Sequence, residues 1–173
     1  MKNITKMKVL TSTAIVLWIL FTIWVLNLMG FAALWPAFTV LNLLTLSGSF
    51  DKQNIIKIFA SSVAGILLAL VLVYLMVFLT GVVGESLSLY IALFVVLMVL
   101  LTVDVVFPMF INTNTFIVLT YALVNVPQFM EEWHKFLANV FIGGGIALIG
   151  VLAIIKFVTK KAEESTNELD SKI

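Results

Sequence analysis

Four uncharged polar residues, Asn112, Thr113, Asn114 and Thr115, stand in a row between Ile111 and Phe116, in a chain that is otherwise strongly apolar. Amide and hydroxyl groups supply hydrogen-bond donors and acceptors without charge. Such a run suits a small polar solute or a dehydrated ion better than a hydrophobic drug. It also suits a helix start, because Asn and Thr side chains accept from the free N–H groups of a first turn. Two readings therefore stand together: a polar break inside a membrane, or a cytoplasmic turn that caps a helix. A second interruption lies at Trp35, Pro36 and Phe38, with Thr39 and Asn42 one and two turns on. Thr120 and Tyr121 continue the polar track beyond Phe116.

Other reactive residues are few. Asp104 sits in LLTVDVVF at the end of an apolar segment, where a charge is costly and points first to function. It could bind a cation or carry a proton, or it could be an interfacial carboxylate paired with Lys57. His134 lies in EEWHK beside Glu131 and Glu132, without a recognisable metal-ligand spacing. No nucleophile–base pair, phosphate-binding loop or metalloprotease motif is present, so neither an enzyme nor a cofactor or metal is expected. The absence of cysteine excludes disulfides, thiol chemistry and Cys-based metal sites.

The elements that must position these residues are set by composition. The 173 residues are 62% hydrophobic and 11% charged, with a mean hydropathy of +1.20. A soluble domain is about a quarter charged. The expected fold class is an all-α integral membrane protein, with one membrane domain over residues 1–158 and a polar, mobile tail over 159–173. Six apolar segments are expected, at about 9–28, 30–46, 55–80, 88–107, 109–126 and 136–158. In lipid they must be helices, since no water is there to pair the backbone. The first run is too long for the apolar region of a signal peptide and is expected to be retained. The second is expected to be kinked by Pro36. In the fifth, residues 116–126 cover only about 16 Å, too short to cross.

Lysine sets the orientation. Lys2, Lys6, Lys8, Lys52, Lys57, Lys156, Lys160 and Lys161 fall on one side of six spans, which places both termini in the cytoplasm; Lys135 is alone on the other side. A net charge of +1 gives no reason to expect a nucleic-acid partner. The expected partners are the lipid bilayer, a small polar solute and further copies of the chain in a closed homo-oligomer.

Sliding the sequence by 78 residues superposes Phe38, Val40, Leu41, Lys57, Ala60, Gly65, Ala69, Leu70 and Val73 on identical residues. Each half, about 9–80 and 88–158, then contains three segments, the middle one short or broken. An odd number of crossings inverts the second half, the arrangement common in channels and secondary transporters. Pro36 superposes on Asn114, so the two breaks share one position of the repeat. Ser61, Gly65 and Ala69 superpose on Asn139, Gly143 and Ala147, and small residues at this spacing let helix backbones approach closely. The third and sixth segments are thus expected to pack together in the interior.

The stretches FAALWPAF, SSVAGILLALVLVY and PMFINTNTF resemble the YcdZ-like family of small bacterial inner-membrane proteins, a domain of unknown function, over about residues 15–155. The resemblance implies an inner-membrane location and a shared fold, but no substrate. The family's second break is a Pro-Gly-Thr-Phe type of turn; here Asn114, Thr115 and Phe116 occupy it and the proline stands at Pro108, so no solute carries over. The expected function is a channel or facilitator for a small polar solute, its path passing both breaks. A non-transporting assembly subunit or regulator is the alternative, and a proton- or cation-coupled transporter using Asp104 a second one.

Overall fold

A computed structural model describes the backbone of residues 2–124 and 126–170, and the side chains of residues 9–124 and 126–160. The lysines at 2, 6, 8 and 161 used above for orientation have side chains outside that set. The described residues form six helices and no strand: α1 (Lys2–Leu28), α2 (Trp35–Ser47), α3 (Lys52–Val83), α4 (Glu85–Val103), α5 (Thr113–Leu123) and α6 (Val126–Asp170). Four stretches are long and apolar enough to cross a membrane: Val9–Leu28, Lys52–Val83, Glu85–Val103 and Val126–Lys160. The 13 residues of α2 and 11 of α5 are apolar but short. At 1.5 Å per residue they reach about 20 and 16 Å, against roughly 30 Å of hydrocarbon.

Helix ends follow local chemistry. α1 closes at Gly30, whose φ of 78° is left-handed. The Phe31 N–H donates to the Leu26 carbonyl and the Gly30 N–H to that of Asn27, each at 3.0 Å, a Schellman-type end that only glycine enters without strain. Residues 31–34 are then non-helical, and α2 starts at Trp35. Pro36 therefore does not kink a helix, as the sequence led us to expect. It lies in the first turn of α2, where no N–H is needed and its fixed φ is already helical. Asp51 caps α3, accepting from the Ser49 hydroxyl and, at 2.8 Å, from the Asn54 N–H; these bonds hold its carboxyl below its ordinary pKa. α6 bends at Glu132 (φ −122°, ψ 16°), where the Lys135 ammonium donates to the carboxylate at 2.6 Å. Beyond residue 158, where a polar tail was expected, the backbone continues as helix to Asp170. Its Ala, Glu and Lys content favours that state.

Packing divides the helices into two groups around α3 and α6. α3 carries α4 and α5, α6 carries α1 and α2, and α3 touches α6. Small residues make these contacts possible. A Cβ on Gly65 would lie 2.7 Å from the Val118 Cβ and 2.8 Å from the Thr115 carbonyl oxygen, so α5 lies directly on the α3 backbone. A Cβ on Gly143 would lie 2.7 Å from the Ala37 Cβ, and one on Gly144 3.2 Å from Val40, so α2 lies on α6. The stripes of small residues thus seat the two short helices, while α3 and α6 also touch. α2 buries seven of its 13 residues. α1 and α4 present most of their apolar side chains outward, including Trp24, Tyr90 and Phe94.

α1 is held to α6 by Trp18. Its indole N–H donates to the Ile146 carbonyl at 3.1 Å, and its ring fills the space a side chain at Gly150 would need. Gly150→Ala should therefore lower stability in detergent by about 1–3 kcal/mol through overpacking. Thermal unfolding followed by tryptophan fluorescence checks this, and Trp18→Leu in the same chain should remove most of the cost. An unchanged midpoint for Gly150→Ala would sink the contact.

Candidate functional site

The polar run at 112–115 is largely occupied with starting α5. Asn112 is the N-cap, and its side-chain oxygen accepts from the Asn114 N–H at 2.8 Å. The buried Thr115 hydroxyl accepts from the Asn112 N–H at 3.1 Å and donates to the Phe110 carbonyl at 2.6 Å. The Asn112 amide donates to the Pro108 carbonyl at 3.0 Å. Together these bonds close a capping box and tie the loop 104–112 to the helix it precedes. Thr113 is exposed and Asn114 half-buried.

The other residues expected on a solute path are spread over several surfaces. Pro36 and Thr39 are buried, Phe38 is half-buried, and Asn42, Phe116, Thr120 and Tyr121 are exposed. The Thr39 hydroxyl donates to the Trp35 carbonyl at 2.8 Å and that of Thr120 to Phe116 at 2.9 Å, each turned back on its own helix. Phe116 and Thr120 line a cleft of about 390 Å³ whose other walls are Leu72, Leu93, Leu97, Leu119, Leu123 and Val124. Trp35 stacks on Tyr121 with ring centroids 6.1 Å apart and meets the edge of Phe136 at 5.3 Å. The start of α2 thus meets the last turn of α5. Thr113 lies about 12 Å further back along that helix, so this contact does not bring the two breaks together.

Asn139 plays a part that its place in a stripe of small residues did not reveal. It is fully buried on α6, and its amide donates to the Ala33 carbonyl at 2.6 Å. This bond satisfies a carbonyl in the non-helical stretch before α2, which has no helical partner of its own. The Asn139 Oδ1 is buried against Gly143 and has no hydrogen-bond partner, as is also true of the Ser62 Oγ. The sequence signal was available: an amide amid an apolar helix must answer another polar group.

Asp104 occupies the C-cap of α4 and is half-buried, with its Oδ1 enclosed and unpartnered. Among the described residues no ion pair joins it to Lys57, and the ion pair present is Lys135 with Glu132. Lys57 instead faces Pro108 and Met109 across a shallow cleft with Gln53 and Ile56. His134 is exposed and meets the Trp133 ring edge-on at 6.1 Å.

Replacing Thr115 by Val keeps the shape and removes the hydroxyl. It should cost about 1–3 kcal/mol by leaving the Asn112 N–H and the Phe110 carbonyl unpaired, and it should speed amide exchange in the first turn of α5. Thr115→Ser should retain most of both, and equal behaviour of the two variants in denaturation and hydrogen exchange would contradict the cap. Comparison of the chain with known protein families, curated proteins and solved structures gives no match.

Proposed function

We propose that the chain is a membrane channel or facilitator for a small polar solute, built as two inverted three-helix repeats, with its path between α2 and α5. The observation that carries this is the packing around the two long helices. Exchanging α1 with α4, α2 with α5 and α3 with α6 leaves the set of neighbouring helices unchanged. The 78-residue offset agrees in detail: it carries Trp35 at the start of α2 onto Thr113 at the start of α5. It also carries Ala37 and Val40, which lie on Gly143 and Gly144, onto Thr115 and Val118, which lie on Gly65. Matched short helices seated in an inverted repeat are the sequence-readable mark of a permeation or binding site. In this reading both helices lie at membrane depth, and the non-helical stretches 29–34 and 104–112 feed them from opposite sides. Trp35, between Tyr121 and Phe136, closes the seam between α2, α5 and α6.

Two alternatives each have an observation in their favour. The capping box at 112–115 and the turned-in hydroxyls of Thr39 and Thr120 need no solute, which suits a non-transporting assembly subunit or regulator. The enclosed, unpartnered Asp104 Oδ1 suits a proton- or cation-coupled transporter.

Purified protein in liposomes separates the three. The channel reading expects entry of small neutral solutes such as urea or glycerol above empty liposomes, raised several-fold by Trp35→Ala and unaffected by a proton gradient. Flux that requires the gradient and vanishes in Asp104→Asn would favour coupling. No flux from either wild type or Trp35→Ala would leave the assembly role.

A further inference from the structure

We propose that the cleft between the start of α3 and the loop after α4 binds the headgroup of an anionic phospholipid. This inference rests on the membrane location and is independent of any transport. Gln53, Ile56 and Lys57 present one face of the first turns of α3, since residues three and four apart are neighbours on a helix. Pro108 and Met109 form the opposite wall, and the cleft holds about 390 Å³. One wall thus carries a cation and an amide donor, while the rest is apolar.

The surroundings fix the chemistry of the occupant. Lys57 is exposed and, among the described residues, in no ion pair. The nearest carboxylate in sequence, Asp51, is engaged by the Ser49 hydroxyl and the Asn54 N–H as the cap of α3. Asp104 has its Oδ1 enclosed in protein. Lys52, also exposed, adds a second positive charge at the same end of α3. Beside the cleft the loop exposes Val105 by 83%, Val106 by 67%, Phe107 by 55% and Phe110 by 48%. Several large apolar side chains exposed within one short irregular loop belong where acyl chains begin. An unpaired cation at the end of a spanning helix, bordered by that surface, complements a molecule with a negative head and apolar tails. An anionic phospholipid has both, whereas a soluble anion has only the first.

Native mass spectrometry of the full chain, released from bilayers of mixed phosphatidylcholine and phosphatidylglycerol, tests this. Wild type should retain phosphatidylglycerol in preference to phosphatidylcholine. Lys57→Gln should reduce that preference about five-fold, the factor one lysine contributes near an anionic surface. Lys57→Arg should keep it, which shows that the fold survives substitution there. Lys156→Gln, which removes an exposed charge at the far end of α6, should leave it unchanged. Equal retention by wild type and Lys57→Gln overturns the proposal, as does an equal loss in Lys156→Gln, which would make the effect diffuse electrostatics. Displacement of the lipid by millimolar inorganic phosphate overturns it in favour of a simple anion site. In a chain without native cysteine, Met109→Cys cross-linking to a second copy in the bilayer would show that protein covers this face, and would overturn it too.

Discussion

A short helix in a membrane leaves its first N–H groups and its last carbonyls without partners, and lipid supplies none. The architecture answers that constraint at α2 and α5. Each is laid on a long helix where glycine brings the backbones together, α5 at Gly65 and α2 at Gly143 and Gly144. Each is preceded by non-helical chain whose carbonyls are taken up by protein: Ala33 by Asn139, and Pro108 and Phe110 by Asn112 and Thr115. Those bonds leave the carbonyls ahead of both short helices satisfied within the protein itself.

The two solutions differ in origin. The break before α5 is satisfied locally, by side chains within the same few residues. The break before α2 is satisfied from a distance, by an amide 106 residues further along the chain. Pro36 and Leu34 offer no capping group, so the start of α2 depends on α6 for what the start of α5 does itself. Gly143 serves this arrangement twice, leaving room both for Ala37 and for the Asn139 Oδ1. A change there disturbs the helix contact and the hydrogen bond together.

Long helices α1 and α4 are the least enclosed, with aromatic and aliphatic side chains turned outward. In lipid this carries no penalty, because hydrocarbon is as good a neighbour for Leu or Phe as a protein core. What holds α1 is therefore specific: the Trp18 indole on the Ile146 carbonyl, over the bare backbone of Gly150. α4 is held to α3 through the turn at Gly84 and the contact between Thr80 and Ser88 hydroxyls at 3.0 Å. Polar contacts and close packing do the work that water exclusion does in a soluble protein.

Composition and run length alone determined that the chain is helical and apolar, roughly where its long helices lie, and that the second and fifth segments are short; the sixth, expected from 136, begins at Val126. These are one-dimensional properties: an apolar run in lipid has only one way to pair its backbone. The cap at Asn112 and Thr115 was one of two readings the sequence left open, and its partners all lie within five residues. The tertiary structure alone decided which helix each glycine faces, that Asn139 answers Ala33, and that Trp35 meets Tyr121 at the far end of α5. It also moved Pro36 from the middle of a kinked helix to the first turn of α2. Those relations join residues distant in the chain, and a period in the sequence reports that a face is small or polar without naming what is pressed against it.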